Sequence, residues 1–409
     1  MKLTEEEKRM LAGEFGDFTK KAMDILVTLG KIYGAEKMCK IYNVHSPGVS
    51  YRVTGNAGLN FVKDAAYKFG CKMKCMTTLN TIGIDYDKAE ELKFSKNFIE
   101  KQREILKAYE ELGALGTYTC TPYSIGNIPK FGEHVAWGES SAIAYVNSIL
   151  GARTNREGGP TALAAAITGR VPAYGLHLDK NRKGDFLVRV EADLQSDRDY
   201  GLLGYYVGQQ VENRIPVFEG IENPTSENLK SLSAALASSG AVALYHIIGV
   251  TPEAQNKEDI IAEGVEEIVF TEKEKQEVFD KFNYTGDADM VVIGCPHCSI
   301  VEIKNIAELL RNKTVKSEVW ILTSKPVEAL AERLGFKRTI LESGAQVVTD
   351  TCPVLAETVR DYNLMVTNSA KMAHYAPGLW NVDTTLIPLE ECIYSAVNGY
   401  WGGSHEITR

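Results

Sequence analysis

The sequence lacks the short motifs that mark several large enzyme classes. It has no G-x-x-x-x-G-K-[ST] phosphate loop, and no G-x-G-x-x-G segment follows a strand-like run, so it offers little support for ATP or NAD chemistry. Its seven histidines form no H-E-x-x-H motif. A single C-x-x-C, Cys295 to Cys298, stands without the second pair that a four-cysteine zinc site needs.

Excess positive charge and long apolar runs are also missing. The net charge is −9 at pH 7, which argues against nucleic acid as the main partner because phosphate binding needs a basic surface. No apolar run approaches the roughly 20 residues that span a bilayer, and the charged start, MKLTEEEKRML, has no signal-peptide core. We therefore predict a cytoplasmic protein that binds neither nucleic acid nor a membrane, although a local pocket of Arg and Lys can bind a small anionic substrate.

What is present is the composition of an ordinary globular protein. The chain has 409 residues, of which 44% are hydrophobic and 24% charged, enough for two or three domains. In a large cytoplasmic protein, its eight cysteines are expected to be buried thiols, catalytic groups or metal ligands instead of disulfides. We interpret four of them as structural: Cys39, Cys71, Cys75 and Cys392.

The C-terminal half alternates between strand-like and helix-like segments. Four apolar runs are typical of strands: MVVIG (290–294), EVWIL (318–322), QVVTD (346–350) and LMVTN (364–368). Helical patterns separate them, at 299–312, 326–335 and 353–361. This alternation predicts βαβ units, a parallel sheet and an α/β fold class. We divide the chain into an N-terminal region, 1–215, and a C-terminal region, 216–409.

The N-terminal half has a less regular pattern. Thr4 and Glu7 have the spacing of a capping box at the start of a first helix. Residues 21–40 and 97–112 also have helical patterns. Farther along, small-residue helices are predicted at 140–150 and 161–168, joined by a polar loop.

That polar loop carries cations that suit an anionic ligand. Arg153 and Arg156 flank an asparagine within it, and Lys371 follows the last predicted strand of the C-terminal half. A carboxylate or phosphate needs such groups, and arginine binds it in the strongest, two-pronged geometry. Each cation taken singly is also typical of a solvated surface side chain, so the Gly- and Ser-rich setting is what favours binding.

Two cysteines stand directly after predicted strands. Cys295 follows MVVIG and Cys352 follows QVVTDT, each before a predicted helix. Ligands of open parallel sheets bind beyond the carboxyl ends of the strands, and a helix N-terminus there favours the thiolate over the thiol. Cys120, in GTYTCTPYSIG, also follows a short strand-like stretch. Three thiolates leave one iron of a cubane cluster open as a Lewis acid, which is the logic of an iron–sulfur hydro-lyase.

Several longer segments resemble one protein family. The stretch GESSAIAYVNSILGARTNREGGPTALAAAITGRVPAYGLHL (138–178) is similar to the signature of the aconitase X catalytic domain, and TYTCTPY, GCPH, DTCPV and TNSAKMAHY resemble its other blocks. The similarity runs over nearly the whole chain. It implies an aconitase-like multi-domain architecture with a cluster site between domains. It also implies a large subunit whose separate small subunit covers the site and supplies a catalytic serine.

The resemblance implies a set of site residues. Cys120, Cys295 and Cys352 match the positions that hold the family's iron–sulfur cluster, here expected to be 4Fe–4S with one open iron. Cys298 matches no such position, but the C-x-x-C pair CPHC keeps it as an alternative ligand and also suits zinc or redox chemistry. The implied substrate contacts are Gly48, Val49, Ser50, Asn80, Thr81, Ser140, Ser141 and Lys371. Many relatives have proline at the position of Thr81, and Lys371, or alternatively Arg156, is expected to stabilise charge on a substrate carboxylate.

The resemblance also implies an activity. Aconitase X members dehydrate either (R)-5-phosphomevalonate, to trans-anhydromevalonate 5-phosphate in an archaeal mevalonate route to isoprenoids, or cis-3-hydroxy-L-proline. The separate-subunit form with three cysteines favours the first substrate, and hydroxyproline is the alternative. An alternative from another class is a non-catalytic iron–sulfur or redox-sensing subunit with CPHC as its switch.

Overall fold

The computed structural model describes residues 1–356 and 362–403 and confirms a mixed α/β fold. The helices are α1 (Glu5–Ala12), α2 (Asp17–Ile32), α3 (Tyr51–Lys63), α4 (Lys96–Leu112), α5 (Ser140–Ser148), α6 (Gly159–Thr168), α7 (Asp197–Val211), α8 (Ser226–Gly240), α9 (Lys257–Ile260), α10 (Glu272–Asp280), α11 (Ile300–Leu310), α12 (Lys325–Arg333), α13 (Phe336–Glu342), α14 (Ala370–Trp380) and α15 (Leu389–Asn398). The strands are β1 (Met38–Lys40), β2 (Asn43–Ser46), β3 (Met76–Leu79), β4 (Ala136–Trp137), β5 (Arg170–Pro172), β6 (Gly184–Val190), β7 (Pro216–Glu219), β8 (His246–Ile247), β9 (Ile261–Phe270), β10 (Gly286–Asp287), β11 (Met290–Ile293), β12 (Glu318–Thr323), β13 (Gln346–Thr349), β14 (Leu364–Thr367), β15 (Asp383–Leu386) and β16 (Tyr400–Trp401).

The larger sheets are built from parallel strands, as predicted. Their strand orders are β3-β2-β4, β8-β7-β6-β9 and β13-β12-β11-β14-β15. Two short antiparallel pairs, β1 with β5 and β10 with β16, complete the pairing described. The boundary that we predicted at residue 215 falls between β6 and β7, which pair with each other. The division of the chain into two regions remains a prediction.

The five-stranded sheet is covered on both faces, which explains why its strands are continuous apolar runs. Along β11, Met290 and Val292 belong to a core shared with the N-terminal helices and α4. Val291 and Ile293 point the other way, into a core formed with α11, α13 and α15. This alternation has the period of two that a strand imposes. The face of the sheet that carries Met290 and Val292 therefore packs against elements formed by the first 120 residues.

Two helix predictions differ from the structure. The helix predicted over 21–40 ends at Ile32, because Gly34 adopts the left-handed conformation with φ of 67° and the chain then enters β1. The helix predicted over 353–361 is not formed at its start, where residues 353–355 make a turn. The residue before a proline is disfavoured in a helix, and Cys352 precedes Pro353. Residues 357–361 lie outside the described part of the chain.

Candidate functional site

The carboxyl ends of the first parallel sheet carry most of the predicted substrate contacts. Strand β2 leads into the loop of Gly48, Val49 and Ser50, which ends at α3. Strand β3 leads into Asn80 and Thr81. A hydrogen bond from the Asn80 N–H to the Ser46 carbonyl holds this segment beside the end of β2. Strand β4 leads into α5, with Ser140 and Ser141 in its first turn. Parallel strands bring these three segments to one edge.

The carboxyl ends of the five-stranded sheet carry the other predicted residues. Cys295 follows β11, Cys352 follows β13, and Lys371 lies in the first turn of α14, just after β14. Strands β12 and β13 lie on one side of β11, whereas β14 and β15 lie on the other. Cys295 and Lys371 therefore flank the point where the strand order reverses, the usual ligand position in such sheets.

The two sheet edges face each other across a cavity of about 280 Å³. Its walls combine residues from both halves of the chain: Asn80, Thr81, Cys120, Glu139, Ser140, Gly294, Cys295, Pro296, His297, Cys352, Pro353, Val354, Leu355, Lys371 and Tyr375. Seven of the residues predicted from sequence are thus brought together, namely Asn80, Thr81, Cys120, Ser140, Cys295, Cys352 and Lys371. A cavity between converging polar groups is the usual form of a small-molecule site.

The three predicted cysteine ligands are all free thiols in this cavity. Across residues 1–356 and 362–403, no three His, Cys, Asp or Glu side chains are close enough together to hold a single metal ion. Cys120, Cys295 and Cys352 therefore line a shared space instead of meeting at one point. Thiols are the donors that iron–sulfur clusters require, so this donor set fits a cluster that fills the space between them.

Burial acts against the thiolate form of all three cysteines. Burial raises the pKa of Cys295 to about 12, and it raises the pKa of Cys120 and Cys352 as well, while the charge of Lys371 acts in the opposite direction. The expectation that helix N-termini favour these thiolates stays a prediction. Helix α11 begins at Ile300, five positions after Cys295, and a turn follows Cys352.

The Lys371 ammonium forms a buried ion pair with the Glu139 carboxylate. Its Nζ lies 2.7 Å from Glu139 Oε1 and donates to the hydroxyls of Ser140 and Ser141 at 3.3 and 3.2 Å. Burial acts to lower the pKa of Lys371, but Glu139 together with Cys295 and Cys120 outweighs burial, so this pKa is raised. Burial likewise acts to raise the pKa of Glu139, yet Lys371 and the Ala142 N–H hold it below its usual value. Both groups are charged at neutral pH.

Sequence reasoning missed Glu139 as a site residue. Its carboxylate accepts from the Ala142 N–H at 2.6 Å and the Ser141 hydroxyl at 2.8 Å, so it caps α5 while it pairs with Lys371. The available signal was a charged residue directly between a buried strand, Ala136–Trp137, and a small-residue helix. A carboxylate at a helix N-terminus is stabilised by the helix dipole and by free N–H groups.

One predicted contact has a buried polar atom without a partner among the described residues, Ser50 Oγ. A buried donor or acceptor left unpaired costs about 1–3 kcal/mol, which a bound ligand or water recovers. Ser50 is the N-cap of α3, and Arg52 of that helix donates to the carbonyl of Ala356, next to the Cys352 loop. The start of α3 therefore lies beside the cavity.

Three other candidates point elsewhere. Arg153 pairs with Asp179 and does not line the cavity. Arg156 donates to the Ala241 carbonyl, although its charge is near enough to Glu139 to interact. Cys298 is fully buried in the core beneath α11, on the opposite side of the sheet from Cys295.

Family models match nearly the whole chain. The aconitase X first domain matches residues 1–180, the second domain 184–280 and the third domain 288–398. The chain belongs to the aconitase X family. The family resemblance of the cysteine and GESS segments, predicted from sequence, is thereby confirmed.

Individual aconitase X proteins are similar over their full length. The phosphomevalonate dehydratase large subunit of Methanosarcina mazei is 45% identical over 401 residues, covering 98% of each chain. The crystal structure of Thermococcus kodakaraensis aconitase X in its holo-form superposes with a TM-score of 0.89 at 43% identity, covering 97% of this chain and 100% of that one. The aconitase-like architecture is thereby confirmed.

A more distant relative has another substrate. The cis-3-hydroxy-L-proline dehydratase of Hypocrea jecorina is 36% identical over 419 residues, covering 98% of this chain and 69% of its own. Because relatives of both kinds are named dehydratases, the predicted enzyme class, a hydro-lyase, is confirmed. None of the described helices has the length and apolar character needed to cross a membrane.

Proposed function

We propose that this chain is the large subunit of an iron–sulfur hydro-lyase that dehydrates (R)-5-phosphomevalonate to trans-anhydromevalonate 5-phosphate. The observation that carries the proposal is that Cys120, Cys295, Cys352 and Lys371 line one cavity at the facing ends of two parallel sheets. The reaction belongs to an archaeal-type mevalonate pathway of the cytoplasm. The partner is a separate small subunit that covers the open side of the cavity and supplies the catalytic serine.

The three thiols would hold the cluster, which we propose to be 4Fe–4S with one iron left open. When bound, such an iron acts as a Lewis acid that turns a substrate hydroxyl into a better leaving group. No fourth cysteine lines the cavity among the described residues, since Cys298 points into the core on the other face of the sheet. The donor set is therefore incomplete by one ligand, which suits a cluster that also binds substrate.

The chain's own residues bind and orient the substrate anion. Lys371 holds a fixed positive charge in the cavity wall, where a carboxylate that gains charge during proton loss from the adjacent carbon is stabilised. The buried Ser50 hydroxyl at the start of α3 has no partner among the described residues and offers a hydrogen bond to an anionic group. Asn80, Thr81, Ser140 and Ser141 supply the remaining polar contacts, while apolar Val354 and Leu355 exclude water from one side.

Anaerobic reconstitution with the small subunit tests the proposal. We expect a brown protein whose iron and sulfide contents match a cluster, and whose spectrum changes when (R)-5-phosphomevalonate is added. Cys120→Ser, Cys295→Ser and Cys352→Ser should each abolish both the colour and turnover. Cys298→Ser is the matched control in the same loop and should retain them. A colourless protein that holds zinc would refute the cluster.

Hydroxyproline is the second candidate substrate, favoured by the 36% identity to a cis-3-hydroxy-L-proline dehydratase. The reconstituted enzyme is incubated with each compound, and the products are analysed by mass spectrometry. This separates the two candidates, because only a compound on which the enzyme acts loses the mass of one water. Turnover of cis-3-hydroxy-L-proline without turnover of (R)-5-phosphomevalonate would reverse the choice. The non-catalytic redox alternative has less support, since Cys295 and Cys298 lie in different cores on opposite faces of the sheet.

A further inference from the structure

The imidazole of His297 connects the loops that carry all three cysteines. It lies two positions after Cys295 and is 2% exposed. Its ring Nε2 lies 2.7 Å from the carbonyl oxygen of Thr351, next to Cys352. Its ring Nδ1 lies 3.2 Å from the Thr119 hydroxyl, next to Cys120. Its backbone N–H donates to Cys120 Sγ at 3.2 Å.

These partners fix the tautomer of the ring. A carbonyl oxygen accepts only, so Nε2 carries the proton and donates to Thr351. Nδ1 is then an acceptor for the Thr119 hydroxyl. The Thr119 oxygen in turn accepts from the Thr121 N–H at 3.1 Å, on the other side of Cys120. Each nitrogen of this one ring thus has a defined bond to a different loop.

A hydrogen bond to the His297 carbonyl also fixes the position of its backbone. Its carbonyl accepts from the Lys230 ammonium at 3.1 Å, and Lys230 pairs with Glu302 of helix α11. Every polar atom of His297 therefore has a partner. A buried histidine that serves only to fill a core does not need partners beside the thiols of two other loops.

We propose that His297 is a positioning residue that holds the Cys120 and Cys352 loops at the spacing that the iron–sulfur cluster requires. The proposal rests on the proposed function, because it assumes that these thiols bind a cluster. Outer residues that orient metal ligands change metal affinity by about 10–100-fold when they are removed. His297 does not contact the substrate cavity through a free polar atom, so its effect reaches the chemistry only through the cysteines.

Three substitutions separate the two ring bonds. His297→Phe preserves volume and removes both bonds. His297→Gln places an amide near the position of Nε2, so it retains the bond to Thr351 and loses the one to Thr119. His297→Asn places an amide near the position of Nδ1 and does the reverse. We expect cluster loss to a chelator to be faster by about tenfold or more in His297→Phe, with intermediate rates in the other two.

His246 provides a matched control. It is also buried, and its Nε2 also lies 2.7 Å from a carbonyl oxygen, that of Arg182, away from the cysteine loops. His246→Phe should cost comparable stability and leave the iron content and the rate of cluster loss unchanged. If both phenylalanine variants lose iron equally, or neither does, the positioning role is refuted. If His297→Phe does not fold, unchanged cluster retention in both His297→Gln and His297→Asn refutes it as well.

A second measurement does not depend on a cluster. Hydrogen exchange of the full-length apoprotein reports on peptides that cover 117–123, 294–299 and 349–353. We expect faster exchange in all three peptides for His297→Phe, and in none of them for His246→Phe. If the wild-type protein binds no iron and the two phenylalanine variants still differ in this way, the proposed function is refuted but the positioning role is not. Unchanged exchange in His297→Phe would refute the positioning role itself.

Discussion

Lys371 and Glu139 form a buried ion pair across 232 positions of sequence, with 2.7 Å between Nζ and Oε1. Lys371 lies in the first turn of the helix after β14, and Glu139 directly precedes the helix after β4. The pair thus joins the edges of two different sheets at the candidate site. It holds a cation in place before any substrate arrives, and fixed charges of this kind stabilise charge that develops during a reaction.

Glu139→Gln should damage both stability and turnover. The substitution leaves the buried Lys371 ammonium without its counter-ion, a change that typically costs about 3–5 kcal/mol. We expect a loss near the lower figure, because glutamine still accepts from the Ala142 N–H. Urea unfolding measures the stability change, and steady-state kinetics with (R)-5-phosphomevalonate should show a fall in kcat.

The exposed pair of Lys257 and Glu219 is the control for this change. Its atoms lie 2.9 Å apart, but both side chains are more than one-third exposed. Glu219→Gln should therefore change stability by no more than about 0.5 kcal/mol. An equal effect of the two substitutions would show that burial of the Lys371 pair has no energetic role.

Local patterns were sufficient to place two of the cysteines. The runs before Cys295 and Cys352 are continuously apolar, because both faces of their sheet are covered, and such runs can be recognised in a sequence. The carboxyl-end rule for parallel sheets then predicts where these cysteines lie. The capping box of Thr4 and Glu7 was also predicted and is present, because it depends on four consecutive residues.

The pairing of Glu139 with Lys371 could not be predicted in this way. It depends on how two sheets from opposite ends of the chain pack together, and no local periodicity encodes that arrangement. The bonds of His297 to loops 178 and 54 positions away have the same origin. Arg153 shows the converse case: its setting resembles an anion site, yet it pairs with Asp179 outside the cavity, and its role in substrate binding stays a prediction. The ligand and substrate roles of the cavity residues stay predictions.

Gly48→Ala should weaken substrate binding. Gly48 has φ of 69°, and a Cβ there would lie 3.3 Å from the Gly159 Cα. The left-handed conformation costs an alanine about 1–2 kcal/mol, and the close backbone contact forces the loop that carries Ser50 to shift. We expect a raised KM for (R)-5-phosphomevalonate and a smaller change in kcat. Gly249→Ala is the control, because Gly249 has φ of 75° with no atom within 4 Å of the added Cβ. It should lose similar stability and keep its KM.

Arg182→Met should destabilise the fold by about 3 kcal/mol or more. The Arg182 guanidinium is 1% exposed, pairs with Glu253, and donates to the side chain and carbonyl of Asn147 at the end of α5. Methionine fills most of the volume but leaves the carboxylate and the carbonyl without their donor. Chemical unfolding measures this loss, and Arg189→Met serves as the control because the pair of Arg189 with Glu267 is exposed. If Arg182→Met lowers the free energy of unfolding by less than about 1 kcal/mol, the inference that this guanidinium stabilises the fold is contradicted.

Buried His246 should make the fold sensitive to acid. Burial lowers the pKa of His246 from 6.5 to about 4. Since the folded-state pKa lies below the unfolded value, the unfolded chain binds the proton first. The stability contributed by the neutral ring is fully present above pH 6.5 and is lost as the pH falls toward 4. That loss amounts to about 3 kcal/mol, because a tenfold difference in proton affinity between the folded and unfolded states is worth about 1.4 kcal/mol.

His246→Gln can still donate to the Arg182 carbonyl but does not titrate. Urea unfolding at pH 7.5, 6, 5 and 4 should therefore give a shallower decline for this variant than for the wild type, and parallel declines would show that His246 stays neutral in both states.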